Sequence, residues 1–352
     1  MFELECSSMF TCVVGQNGMG KTNLLDAVYY TGLTKSYFHS NDRQAIRKGE
    51  QFFTIITECN QDGEDFKVFC NYVSGQKKVV KLNDKPYQKM ADHIGKIPTV
   101  MITPGDLYLI SEYSEERRKF IDSILCQFDV QYLEKLMSYQ KVLHQRNALL
   151  KNQFGFDINL LQVYDSQLVQ LGEVIYEKRM HFIADFAPRV KRFYKAISKG
   201  KEEVKIEYHS QLKEEKLTDL LAQFLEKDRI TQRSNYGIHK DDYLFTMNRN
   251  SFKKYGSQGQ QKSFVFALKL AQAEIMQERS GKLPILLLDD IFDRLDNSRI
   301  ESLLNLLKTM SIGHVFLSDT DPQRVRKVIS ENKVNAQIIE IESGKLAHNE
   351  KG

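Results

Sequence analysis

Gly15-Gln16-Asn17-Gly18-Met19-Gly20-Lys21-Thr22 is the stretch that decides the fold. It fits G-x-x-x-x-G-K-[ST], a loop whose backbone N–H groups curl around nucleotide phosphates. Gly15, Gly18 and Gly20 leave the room that close backbone approach requires. Lys21 is placed to reach the β- and γ-phosphates, and the Thr22 hydroxyl to ligate Mg²⁺. Just upstream, Phe10-Thr11-Cys12-Val13-Val14 is an apolar run that reads as a buried strand. Downstream, Asn23 to Tyr30 carries apolar residues at helical spacing, so the loop feeds a helix N-terminus that favours anions. Residues Gly15 through Asn23 are therefore expected to hold ATP.

Outward from the loop, residues 52–82 alternate like antiparallel strands, with Asp62-Gly63 as a hairpin signal. Pro98 to Ile102 reads as a buried strand that stops at Pro104-Gly105. From Ser114 to about Asp228 the chain is mostly helical. Leu161, Tyr164, Leu168, Leu171, Ile175 and Phe182 form one stripe, and Pro188 is expected to kink or end that helix. A short strand, Val204 to Tyr208, interrupts the region. After about residue 235, strands and helices alternate again through Ile341, which implies a largely parallel sheet. The expectation is an α/β nucleotide-binding lobe, discontinuous over 1–110 and 229–352, with an antiparallel β part. Residues 111–228 form a helical insertion.

The chain has 352 residues, 41% of them hydrophobic and 27% charged, with a formal net charge of +4. That balance allows a polyanionic partner without requiring one. No apolar run is long enough to span a membrane, and no secretory signal pattern is visible. The five cysteines include no C-x-x-C pair and read as reduced cytosolic thiols. A cytoplasmic protein without a membrane partner is expected.

A phosphate loop needs a carboxylate at the end of a neighbouring buried strand. Leu286-Leu287-Leu288-Asp289-Asp290 supplies one: Asp289 as the Mg²⁺ ligand and Asp290 as general base toward the attacking water. Ser257-Gln258-Gly259-Gln260-Gln261-Lys262 stands before the strand that carries them. It resembles the signature loop of the ATP-binding-cassette superfamily, which contacts the γ-phosphate of an ATP held by a partner subunit. The resemblance makes Ser257, Gln258 and Gly259 ATP contacts in trans, with Ser257 catalytic together with Lys21, Asp289 and Asp290. Leu295-Asp296 resembles the superfamily's D-loop.

Gly15 through Ala27, taken whole, resembles the RecF family. So do Pro104 through Asp122 with Arg117-Arg118, Gly237-Ile238-His239-Lys240-Asp241-Asp242, and the signature and Asp289-Asp290 segments. The resemblance implies an ABC-type ATPase head that dimerises over ATP. It also implies binding to double-stranded or gapped DNA, a weak DNA-dependent ATPase, and help to RecO and RecR in placing RecA at single-strand gaps. Several positions depart from the family pattern. Gly105 replaces an acid, Ile238 a proline and Lys240 an arginine, and Ser318-Asp319-Thr320 brings no histidine to the switch region. A family strand would also be expected ahead of Met1-Phe2-Glu3-Leu4-Glu5.

Two basic stretches are candidate DNA contacts through phosphate neutralisation. The first contains Arg189, Lys191, Arg192 and Lys195, and the second Lys77 and Lys78. Neither has the aromatic spacing of a single-strand stacking platform, so contact with a duplex or junction backbone is favoured. Two other readings share the ATP site: the nucleotide-binding subunit of a membrane transporter, and a DNA scaffold that binds ATP without turnover.

Overall fold

The computed structural model describes residues 2–61, 63–152, 156–291 and 296–350. In chain order the strands are β1 (Phe10–Val14), β2 (Phe52–Gln61), β3 (Glu64–Val73), β4 (Val79–Leu82), β5 (Lys85–Pro86), β6 (Thr99–Ile102), β7 (Val204–His209), β8 (Asp242–Met247), β9 (Asn250–Ser251), β10 (Ile285–Leu288), β11 (His314–Asp319), β12 (Ala336–Glu342) and β13 (Lys345–Glu350). The longer helices are α1 (Lys21–Leu33), α2 (Ser114–Phe128), α3 (Val130–Lys151), α4 (Ile158–Ser198), α5 (Gln258–Ser280), α6 (Asn297–Thr309) and α7 (Pro322–Glu331). The chain divides into two compact units: residues 1–106, 196–199 and 258–352, and residues 107–195 and 200–257.

The first unit is an α/β body. Its main sheet has the order β13-β12-β1-β11-β10-β6. All neighbours run parallel except β12 and β13. Every residue of β1 is buried, as a central parallel strand covered on both faces requires. Val13, Leu25, Met101, Leu287, Phe316, Ile339 and Ile341 meet in one core cluster, which joins sheet and α1. A separate antiparallel sheet, β2-β3-β4-β5, packs Val68, Cys70 and Val80 against Tyr30 and Ile97. The two expected strands pair antiparallel, β2 with β3 from Phe52↔Val73 to Gln61↔Glu64, while Asp62 of the expected turn lies outside the described residues.

The second unit combines helices with the small antiparallel sheet β7-β8-β9. Residues 229–257 belong to this unit, although the return of strand character after 235 suggested the first. The reason is pairing: β8 lies antiparallel to β7 from Val204↔Met247 to His209↔Asp242, which fixes it beside the insertion. Leu161, Leu168, Ile175 and Phe182 of the expected stripe are buried. Pro188 neither ends nor replaces a turn of α4, which continues to Ser198 with the proline inside it. Phe186, Val190, Phe193, Tyr194 and Ile197 are buried on either side. Their burial compensates the backbone hydrogen bond that proline cannot donate.

Candidate nucleotide site

Topology sets the site. β11 lies between β1 and β10, and all three end at the same edge of the sheet. The turn after β1, the end of β11 and the turn after β10 are therefore neighbours, at the carboxyl ends of parallel strands where open α/β sheets bind ligands.

The turn after β1 is the glycine loop. Gly15, Gly18 and Gly20 all have left-handed φ values, of 151°, 81° and 106°. At Gly15 a Cβ would stand 2.5 Å from the carbonyl oxygen of Ile341 on β12, so only glycine fits without displacing backbone. Gly20 caps α1 without a side-chain bond to its first N–H groups, which leaves them for an anion. Lys21 is buried, and its Nζ donates to the carbonyls of Gly15 (2.8 Å) and Gln16 (3.1 Å). Those two bonds hold the ammonium over the loop and leave it a third N–H.

From the first turn of α1, Thr22 Oγ1 donates to Asp289, just past β10, at 3.0 Å from Oδ2 and 3.2 Å from Oδ1. Asp289 is 5% exposed. Ser318 Oγ donates to Asp289 Oδ1 at 2.6 Å and accepts from the Asp290 N–H at 2.9 Å. Asp290 has φ 45°, a left-handed conformation in a non-glycine residue. One buried hydroxyl thus fixes both acids, one by its side chain and the other by its backbone. Among the described residues no cluster of three His, Cys, Asp or Glu could enclose a metal. A hydroxyl and one carboxylate are hard oxygen donors, and they fit Mg²⁺, which keeps most of its own waters and takes phosphate oxygens.

The remaining sequence candidates lie as follows. Ser257 is exposed and ends the second unit, while Gln258 begins α5 in the first. A Cβ on Gly259 would meet Arg299 Nη1 at 2.3 Å, so the guanidinium lies against the glycine backbone. Arg299 Nε is 3.4 Å from Asp296 Oδ2, and Asp296 caps α6 by accepting the Arg299 N–H at 3.0 Å. Arg299 therefore links the signature segment to Asp296, a role its sequence context does not reveal. Leu295 lies outside the described residues.

A second group was not legible in the sequence. Asp106, fully buried, accepts from the Thr103 N–H (2.6 Å) and from the Tyr37 hydroxyl, and pairs with Lys269 Nζ of α5 at 3.0 Å. Lys269 also reaches the Tyr37 hydroxyl at 3.2 Å. Asp26 of α1 accepts from the Ser36 hydroxyl (2.6 Å) and the Tyr37 N–H (2.7 Å). These bonds connect α1, the end of β6 and α5 beneath the site.

The proposed DNA cations differ in their surroundings. Lys78 pairs with Asp42 at 2.9 Å and lies over the Tyr30 ring. Arg189 pairs with Asp185 at 2.8 Å, Lys191 with Glu203, and Arg192 packs over Phe193. Lys77 and Lys195 are exposed.

The sequence matches the family model described as RecF/RecN/SMC N terminal domain over residues 1–328. It is 46% identical over 321 residues to the DNA replication and repair protein RecF of Flavobacterium johnsoniae, spanning 90% of this chain and 89% of that one. With RecF of Phocaeicola vulgatus it shares 41% over 347 residues, 98% of this chain and 93% of that one. The chain belongs to the RecF family. Its structure resembles that of the recombination mediator protein RecF-ATPrS of the RecFOR pathway, with a TM-score of 0.87 at 27% identity, covering 97% of this chain and 92% of that one. Likeness to an Smc head at TM-score 0.55 and 14% identity shows the shared ATPase-head fold alone. The chain is thus an ABC-like ATPase head of a DNA replication and repair family. Among the described residues no helix is long and apolar enough to cross a membrane.

Proposed function

We propose that this protein is an ATP-gated DNA clamp of recombinational repair. The observation that carries the reading is the contact of Thr22 with Asp289, which joins the glycine loop to the acid after β10 in one site. When bound, Mg²⁺ neutralises phosphate charge and polarises the γ-phosphate. The chain's own residues do the rest. The loop N–H groups and Lys21 hold the β- and γ-phosphates. Thr22 and Asp289 would hold the Mg²⁺, and Asp290 would accept the proton of the attacking water. Ser257 of a second copy completes the γ-phosphate contacts, so ATP joins two heads around DNA and slow hydrolysis releases them. RecO, RecR and RecA are the partners this family membership supports, and the cytoplasm is the place of action.

The deciding experiment compares the parent with Lys21→Ala and Ser257→Arg in three assays: ATP binding, mass in solution, and duplex binding with ATP or ADP. The reading requires that Lys21→Ala loses ATP and that Ser257→Arg binds ATP but stays monomeric and releases DNA. A Ser257→Arg protein that dimerises and holds DNA like the parent would remove the trans contact. Phosphate release with and without DNA decides whether turnover accompanies binding.

A further inference from the structure

In the second unit, two segments that the nucleotide site does not use, Arg117–Asp122 and Gly237–Asp242, are tied together. Arg117 makes a forked pair with Asp242, Nε to Oδ1 at 2.7 Å and Nη2 to Oδ2 at 3.0 Å. Arg179, almost wholly buried, donates to Asp122 Oδ2 (2.8 Å), Asp241 Oδ2 (2.9 Å) and the Ile238 carbonyl (2.8 Å). A third segment joins through His239, whose Nε2 is 3.0 Å from the Ser234 carbonyl oxygen and Nδ1 2.9 Å from the Tyr139 hydroxyl. Burial pushes its pKa down to about 4, so the neutral ring donates from Nε2 and accepts at Nδ1. The Ser234 turn is itself fixed. Asp228 accepts from Arg146 (2.6 Å) and the Asn235 N–H (3.0 Å), and its carbonyl accepts the Arg233 N–H (3.1 Å).

These bonds bring three cations onto one rigid framework: Arg118, Arg233 and Lys240. Arg118 Nη1 donates to the Asp241 carbonyl (2.5 Å) and to Ser114 Oγ (2.8 Å). Its other N–H groups have no protein partner among the described residues, which leaves the edge that makes forked contacts with phosphate. Arg233 and Lys240 are exposed, and none of the three forms an ion pair among the described residues. The surrounding acids are engaged elsewhere. Asp242 is held by Arg117, Asp122 and Asp241 by Arg179, Asp228 by Arg146, and Glu115 and Glu116 by Lys119. Partial burial, then the positive charges of Arg233 and Arg118, hold the Lys240 ammonium below its usual pKa. Like charges kept close by fixed backbone are relieved by an anion. Arg189, Lys191 and Lys78, by contrast, already have carboxylate partners.

We infer that Arg118, Arg233 and Lys240 form a surface that takes the phosphodiester backbone of duplex DNA. The inference rests on the DNA-binding reading above and gives it a location. The readout is phosphate charge, not sequence.

Fluorescence anisotropy with a labelled duplex, in the ATP-bound state and over a salt series, tests it. The variants are Arg233→Glu, Lys240→Glu and their combination, with the exposed pair Lys308→Glu and Lys327→Glu on α6 and α7 as an equal double charge change elsewhere. The double variant should bind at least tenfold more weakly, with the slope of log K against log salt reduced by about 2. The Lys308→Glu, Lys327→Glu protein should stay near the parent, and ATP affinity should be unchanged in all. Should the double variant fail to fold, Arg233→Gln with Lys240→Gln gives the same comparison with a smaller loss. Parental affinity and slope in the double variant would overturn the inference and leave the surface to an acidic protein partner. Equal losses in the Lys308→Glu, Lys327→Glu protein would overturn it as general charge repulsion. A parent protein that binds no duplex with any nucleotide would instead overturn the DNA reading itself.

Discussion

Ser318 Oγ stands 2.6 Å from Asp289 Oδ1, buried at the end of the strand between the phosphate loop and that acid. Because the same oxygen accepts the Asp290 N–H, losing the hydroxyl removes one hydrogen bond from each acid at once. Outer partners of a metal-orienting carboxylate typically govern about 10–100-fold in metal affinity or activity. Ser318→Ala should therefore keep its fold and its metal-free ATP affinity while losing about tenfold or more in Mg²⁺-dependent ATP affinity. Titrations with Mg²⁺ and with a chelator separate the two. An unchanged Mg²⁺ dependence would show that Ser318 is only a packing residue.

Gly15 and Gly18 should respond differently to alanine. At Gly15 the new Cβ meets a backbone oxygen at 2.5 Å, whereas at Gly18 nothing lies within 4 Å. Gly18→Ala then costs only the left-handed backbone penalty, about 1–2 kcal/mol. Gly15→Ala adds displacement of β12 and should be the more destabilising by a clear margin in urea unfolding. Equal midpoints would contradict the close approach of the loop to Ile341.

The Lys269–Asp106 pair is 4% and 0% exposed at its side chains. Removing one partner strands the other charge, so Lys269→Met should cost about 3–5 kcal/mol. Combining it with Asp106→Asn should restore part of that loss, since no net charge then remains buried. A double-mutant cycle by chemical denaturation measures the coupling, and simple additivity would argue against a direct pair.

Acid should loosen the second unit through His239. Its folded pKa of about 4 lies below the roughly 6.5 of an unfolded histidine, so unfolding takes up a proton. The stabilising contribution is complete above pH 6.5 and is lost as pH falls toward 4, up to about 3 kcal/mol. His314, near 4 for the same reason of burial, adds a parallel loss in the first unit. His239→Gln should flatten part of the stability slope between pH 6.5 and 4 in denaturant titrations. A slope unchanged by the substitution would mean that other groups set the acid response.

What could be read from the sequence was mostly local. The glycine loop, the strand before it and the acids after β10 are short contiguous signals whose chemistry depends on residue type and spacing. Lys269 and Asp106 gave no such signal, because their meaning lies in a contact between distant segments. Residues 229–257 were misleading for a similar reason: strand character is local, but the choice of β7 as partner is not. The cations show the limit of charge counting. Lys191 and Lys240 look alike in the sequence, yet the first has Glu203 within bonding range and the second stands beside two arginines.

The position of β1 has a consequence for synthesis. This strand is made long before both of its sheet neighbours, β11 (His314–Asp319) and β12 (Ala336–Glu342). On the ribosome the apolar strand must therefore wait for all the intervening segments to be synthesised before its edges are covered. Residues 107–195 and 200–257 can meanwhile assemble from contacts among themselves. The waiting strand is open to chaperones and to pairing with other chains. The glycine loop is therefore supported on both sides only after β12 has been made, so products truncated before β11 would carry the loop on a strand without its sheet neighbours.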